Sequence, residues 1–226
     1  MKWNLIYLDK VTSTNDVAKN LSCHSVVVAK EQTNGRGKGS RVWVSDVDNL
    51  FCSVVLKNYG MQTPLLSFVV GLSVVESLKG IDAKLKWPND VFVDGKKIAG
   101  ILLENEDDKL IAGVGINTMK MPEGDFLYPV GCLDGVFLND VLLNSFLNNL
   151  SLNLDLFEKE GFFKIRQKWL SYAVGVGQKI SVQLPHMKLE GLFEDMTLEG
   201  AILLKLSDMT LKRITAGDVF LLNEGI

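Results

Sequence analysis

The chain has 226 residues, 47% of them hydrophobic and 23% charged, with a formal net charge of -3. That composition excludes a disordered or fibrous chain and supplies no global positive field for a polyanion, so DNA or RNA binding is not expected and any cation that matters acts locally. The N-terminal MKWNLIYLDKVTSTND meets polar residues too early for a signal-peptide core, and no apolar run reaches membrane-spanning length, so no membrane association and a cytoplasmic location are expected.

In chain order, STN at 13–15 reads as a helix start. VVVAK at 26–30 and LFCSVVLKN at 50–58 are β-branched runs bounded by turn residues, hence strands. From Thr63 the apolar positions follow helical spacing to Gly80, with Thr63 as a cap and Pro64 in the first turn. KLKW, VFV, KIAGILLE and KLIAGVGIN, separated by PND, DGK and NEDD turns, predict an antiparallel meander. Residues 139–160 carry Leu143, Phe146, Leu147, Leu150, Leu154 and Phe157 on one helical face, Gly161 stops them, and a shorter helix runs through Trp169. After Gly175 and Gly177 come five short β segments, which predict a small β-barrel of about 50 residues. The boundary predicted is 1–174 for a first domain and 175–226 for the second. The odd cysteines, Cys23, Cys52 and Cys132, read as buried thiols, and His24 and His186 have no partner at metal-ligand spacing.

Four segments carry chemistry beyond packing. QTNGRGKGSRVW at 32–43 holds three glycines and three cations, which a core cannot use. It is not a Walker A loop, because Gly39 follows Gly37-Lys38, but Arg36, Lys38 and Arg41 can converge on phosphate oxygens. A solvated surface loop is the plain alternative. In KWPND, Lys86 stands at a strand end before a turn bearing Asn89 and Asp90, either near a carboxylate in a site or as an exposed lysine on a capped turn. Ser13, Thr14 and Asn15 are explained singly by helix capping. Gly113 and Gly115 in AGVGIN leave one face of a strand bare, for a ligand, another backbone or a tightly packed helix.

Taken together and in order, STND, EQTNGRGKGSRVW, LKWPNDVFVDGKKIAGILLE and AGVGIN, followed by a small β-domain, resemble the biotin protein ligases. The resemblance implies an α+β fold: a mixed, largely antiparallel sheet with flanking helices, class II aminoacyl-tRNA synthetase/biotin synthetase-like, plus a small C-terminal SH3-like β-barrel. It implies ATP, biotin and Mg²⁺ as ligands, and a two-step reaction through biotinyl-5′-AMP to a lysine of a biotin carboxyl carrier protein, of acetyl-CoA carboxylase or another biotin-dependent enzyme. Repressor members place a winged helix before the STN segment, whereas about a dozen residues precede it here, so the form implied is monofunctional. Strand pairing into homodimers also occurs in such ligases.

By the same resemblance, Ser13, Thr14 and Gln32, with Asn15 beside them, hold biotin's ureido head, while Gly113 and Gly115 expose backbone beside its rings. Gly35, Arg36, Gly37, Lys38 and Arg41 form the phosphate loop, and Trp43 anchors its end. Lys86 bridges biotin's carboxylate and the α-phosphate, and Asn117 contacts the nucleotide. Apart from the resemblance, the place of Asp90 in the turn after Lys86 suggests that it orients Lys86 or the metal. Related loops often carry Arg at the place of Lys38 and a further basic residue at Gly39, which implies a weaker phosphate grip here. Two competing readings remain at this level: a lipoate or octanoate ligase or transferase of the same fold, and a catalytically silent biotin-binding module.

Overall fold

The computed structural model describes residues 1–39, 41–45 and 48–222; Ser40, within the glycine-rich stretch, lies outside the described residues. Seven strands, β1 (Asn4–Val11), β2 (Ser25–Gln32), β3 (Leu50–Lys57), β4 (Ala83–Lys86), β5 (Asp90–Val93), β6 (Lys96–Glu106) and β7 (Lys109–Ile116), form one sheet in the order β1-β2-β3-β7-β6-β5-β4. The helix α1 (Thr14–Ala18) carries the chain back between β1 and β2, which therefore pair in parallel, while every other neighbour pair is antiparallel. The expected meander is β4 to β7. Strand β1 is an addition to the sequence reading: it is an edge strand with no fully buried residue, so it has no apolar alternation to betray it.

On one face of the sheet lie α2 (Leu66–Ser77), α3 (Asn139–Glu160) and α4 (Phe162–Tyr172). Helix α2 is apolar nearly all round, as a helix packed between a sheet and other helices must be. It starts later than the spacing predicts. Residues Gly60–Leu65 form a 3-10 turn, in which the Thr63 hydroxyl accepts from the Tyr59 N–H at 2.9 Å and donates to Asn58 Oδ1 at 2.7 Å. Thr63 thus ties that turn and does not cap α2. Helix α3 runs over the residues expected, turns Leu143, Phe146, Leu147, Leu150, Leu154 and Phe157 inward, and ends at Gly161 with φ 71°.

The C-terminal strands β8 (Lys179–Gln183), β9 (Lys188–Met196), β10 (Ile202–Lys205), β11 (Leu211–Ile214) and β12 (Asp218–Leu221) make an SH3-like antiparallel sheet in the order β11-β10-β9-β8-β12. This corrects the expected barrel, since among the described residues β11 and β12 do not pair and the sheet stays open. The reason lies in what covers it. Ile180, Phe193, Met196 and Ile202 join one continuous core with Phe68, Trp87 and Trp169 of the larger unit, so the apolar face needs no closure upon itself. The Trp87 indole N–H donates to the Gly200 carbonyl at 2.9 Å, and Arg166 donates to the Met196 carbonyl and pairs with Asp195. Of the cysteines only Cys52 is buried; Cys23 is exposed and Cys132 intermediate, because both lie in connections outside the strands and helices. Among the described residues no helix is long and apolar enough to cross a membrane.

Candidate functional site

Side chains alternate across a sheet, so the face opposite α2 is set by every second residue of β3, β6 and β7. Gly100 pairs with Gly115, and Ser53 pairs with Gly113, leaving this face lined by the smallest residues. The pocket stands here, between the N-terminus of α1, the glycine-rich loop and the 122–130 segment.

Its floor is polar. The backbone N–H and hydroxyl of Thr14 both donate to Gln32 Oε1, at 2.8 and 3.0 Å, and Gln32 Nε2 donates to Ser45 Oγ at 2.9 Å. The Ser53 hydroxyl lies 2.6 Å from Asn15 Oδ1 and 2.7 Å from Thr14 Oγ1 and donates to one of them at a time. Ser13 occupies the N-cap position of α1 yet makes no capping hydrogen bond, so capping does not explain the buried STN side chains. Asn15 Nδ2, buried, has no partner.

The bare strip of β7 is roofed by the chain itself. A Cβ on Gly113 would come within 2.5 Å of Asn15 Oδ1, one on Gly100 within 2.9 Å of the Trp43 ring, and one on Gly115 would run into the Trp43 indole. The close approach foreseen for a ligand or another backbone is thus made by two side chains, Trp43 and Asn15. Gly115→Ala is expected to displace the indole and lower stability by about 1–3 kcal/mol, the range for inserting a methyl into packed surroundings. A denaturant titration followed by tryptophan fluorescence checks this, and an unchanged midpoint would refute it.

The loop folds back on itself: the Trp43 N–H donates to the Gly35 carbonyl at 2.9 Å and the Gly37 N–H to the Arg41 carbonyl at 2.7 Å. Gly35 is obligatory in this turn, because a Cβ there would meet the Trp43 carbonyl and come within 2.6 Å of Ser45 Oγ. Of the three cations, Lys38 stands exposed at the pocket rim. Arg36 lines the pocket, but its guanidinium fork is held by Asp16 (2.8 and 3.0 Å) and Glu104 (3.0 and 3.1 Å), and these two carboxylates raise its pKa further. Arg36 therefore fastens the loop to α1 and β6. Arg41 reaches across to Asp218 of β12, with Nη2 2.5 Å from Oδ2.

Lys86 ends β4, directly opposite Asp90, and is buried at 4% exposure, which removes the exposed-lysine alternative. Its ammonium has no hydrogen-bond partner and lies 3.1 Å from the centroid of the Tyr128 ring, with Phe92 at 5.2 Å and Phe220 at 5.7 Å. Burial pushes its pKa down to about 7, against the opposing pull of Asp90. Asp90 Oδ1 is paired with Lys97 Nζ at 2.5 Å. Asn117, past the end of β7, donates to the Gly131 carbonyl at 3.0 Å and leaves its buried Oδ1 without a partner. Buried polar atoms are almost always paired, so Asn15 Nδ2, Trp43 Nε1 and Asn117 Oδ1, all on residues that line the pocket, with Lys86 Nζ just behind its Tyr128, mark where a polar ligand fits. Of the sequence-predicted site residues all but Gly35 and Lys86 line the pocket; Gly35 forms the turn of the loop, and Lys86 lies behind Tyr128 and opposite Asp90. Ser45, Ser53, Lys97 and Tyr128 join them without notice from the sequence. Ser53 had only its place among larger strand residues to flag it, and Tyr128 lies in an irregular segment with no periodicity.

The Biotin/lipoate A/B protein ligase family model matches residues 5–119, and the Biotin protein ligase C terminal domain model matches residues 175–222. The bifunctional ligase/repressor BirA of Bacillus subtilis (strain 168) is 30% identical, over 97% of this chain and 74% of its own length. The biotin--[acetyl-CoA-carboxylase] ligase of Paracoccus denitrificans is 31% identical, over 88% of this chain and 92% of its own. Among solved structures, the biotin protein ligase from Aquifex aeolicus in complex with biotin and ATP superposes with a TM-score of 0.84 at 31% identity, covering 96% of this chain and 98% of that one. With the site's glycine strip, polar floor and buried lysine all falling inside or beside the matched span, the chain belongs to the Biotin/lipoate A/B protein ligase family.

Proposed function

We propose that this protein joins biotin to a specific lysine of a biotin carboxyl carrier protein, at the expense of ATP and through biotinyl-5′-AMP. The observation that carries the reading is a pocket with a floor of hydroxyl and amide groups and, directly behind its Tyr128 and Asp90, a buried lysine without a hydrogen-bond partner. A ureido group offers both N–H donors and a carbonyl acceptor, which the Ser13, Thr14, Asn15 and Gln32 groups can meet. An aliphatic acyl chain would leave them unpaired, which disfavours the lipoate or octanoate reading.

In the first step the carboxylate oxygen of biotin attacks the α-phosphorus and pyrophosphate leaves. Lys86, Arg41 and Lys38 supply positive charge where the two anions meet, and Asn117 meets the nucleotide. Asp90 acts through its pair with Lys97 and its position opposite Lys86, keeping two lysines tolerable in one buried place. Magnesium would be carried by the phosphates of the nucleotide and would screen the leaving pyrophosphate; among the described residues no group of three His, Cys, Asp or Glu side chains could hold a metal ion. In the second step the amine of the acceptor lysine attacks the acyl carbon and AMP departs. No protein nucleophile takes part: Cys52 faces the core on the helix side, and burial raises its thiol to about 12. The acceptor we assign is the carrier domain of acetyl-CoA carboxylase or of another biotin-dependent enzyme.

Pyrophosphate release with Mg-ATP, measured with biotin and with lipoate, tests the choice of acid. Release with biotin alone is expected. Release with lipoate alone would overturn the reading, and thermal stabilisation by biotin without any release would favour the silent binding module.

A further inference from the structure

The open C-terminal sheet reaches the site at three points. Asp218, at the start of β12, accepts from Arg41 of the glycine-rich loop. Two residues on, Phe220 packs against Tyr128 at 5.1 Å between ring centroids, behind the ring that covers the Lys86 ammonium. At the far side Gly200 accepts the indole N–H of Trp87, the residue after Lys86. Both cationic elements of the phosphate site, the loop and the KWPND turn, are therefore held by residues from the small sheet.

Arg41 uses one terminal nitrogen for Asp218, and a guanidinium carries five N–H donors in a rigid plane, so the others remain for an anion. Asp218 is three-quarters buried while Arg41 is half exposed and lines the pocket, so the carboxylate is the fixed partner and the arginine the one that is aimed. The surroundings favour a charged Arg41: Asp218 first, then Tyr128 and Asp90, raise its pKa.

We propose that Asp218 is a positioning residue for ATP: it fixes the Arg41 guanidinium over the pocket, so that the small sheet forms part of the phosphate-binding site rather than a separate appendage. This rests on the ligase reading above. A side chain that only stabilised the fold would affect biotin and ATP alike, whereas one that aims Arg41 affects ATP.

The test uses the full chain with Asp218→Ala, Asp218→Asn and Asp218→Glu, and Arg41→Gln alone and combined with Asp218→Ala, in the pyrophosphate assay. For Asp218→Ala the KM for ATP is expected to rise about five-fold, the upper end for a partly exposed ion pair. The KM for biotin should stay within about two-fold, Asp218→Glu should recover most of the ATP effect, and Asp218→Ala should add nothing in the Arg41→Gln background. Should the alanine variant fail to fold, Asp218→Asn, which keeps the shape and removes the charge, carries the same expectation. Equal rises in both KM values, additive effects with Arg41→Gln, or no change would overturn the proposal. A wild-type protein that releases no pyrophosphate with biotin would overturn the ligase reading and this inference with it; a working wild type with unresponsive Asp218 variants overturns this inference alone.

Discussion

Lys86→Ala is expected to slow formation of the adenylate by about a hundred- to a thousand-fold, the scale on which removal of one preorganised charge-stabilising group acts in a water-excluded site. The ground is geometric. Lys86 is buried and has no hydrogen-bond partner, and its ammonium is met by the faces of the Tyr128, Phe92 and Phe220 rings and by the more distant charges of Asp90 and Asp218. A charge held in that condition interacts strongly with anions brought beside it, and most strongly where the carboxylate and α-phosphate approach each other. Biotin binding should persist in part, because the hydroxyl and amide floor is built from Thr14, Asn15, Gln32 and Ser53, away from Lys86 in the sheet. The variant should lose little stability at neutral pH, since alanine removes a buried amine that makes no hydrogen bond. Single-turnover pyrophosphate release together with a thermal midpoint decides the matter. An unchanged adenylation rate would contradict the assigned role, and a collapse in midpoint would mean that the lysine serves the fold.

The second large effect is on pH. With its pKa lowered to about 7 in the free protein, Lys86 is mostly neutral at pH 8, while a bound carboxylate or phosphate beside it raises that pKa again. Binding of a non-hydrolysable biotinyl-5′-AMP analogue should then take up nearly one proton at about pH 8 and almost none at about pH 6. Affinity should fall by about ten-fold per pH unit above 7, until the pKa of the bound form is reached. The neighbours facing Lys86 act in both directions, Asp90 and Asp218 favouring its charge and Lys97 and Arg41 opposing it. For stability the sign is that of the usual depressed carboxylate and the reverse of the usual lysine case. Between about pH 7 and the ordinary lysine value the unfolded chain holds the extra proton, so this group's contribution to stability rises with pH across that window. Calorimetry in buffers of different ionisation enthalpy reads the proton uptake directly; an affinity flat from pH 6.5 to 9 would show that Lys86 is already protonated in the free protein.

Much of this was legible in the sequence because it is local. Helix α3 could be bounded to the residue, since its apolar spacing and Gly161 lie within one stretch, and the meander from β4 to β7 followed from turn residues at short intervals. The edge strand β1 was not legible, because an exposed strand has no buried alternation. Neither was the open form of the small sheet, which depends on the helices and Trp87 of the larger unit taking over the apolar face. At the site, residue types pointed to the right places but not to their partners. Arg36 looked like a phosphate ligand and turns out to be clamped by Asp16 and Glu104, residues 20 and 68 positions away. Arg41 finds its partner 177 positions away. Glycines at 113 and 115 announced a close approach, and only the fold shows that Trp43 and Asn15 make it.

Incubation of the purified protein with Mg-ATP, labelled biotin and an isolated biotin carboxyl carrier domain, with label followed on the acceptor lysine, tests the ligase activity in one experiment. Label transfer that requires ATP and is lost when the acceptor lysine is replaced by arginine is expected. Biotin-dependent pyrophosphate release with no label on any carrier domain would contradict the assigned acceptor, and the absence of both signals would contradict the ligase itself.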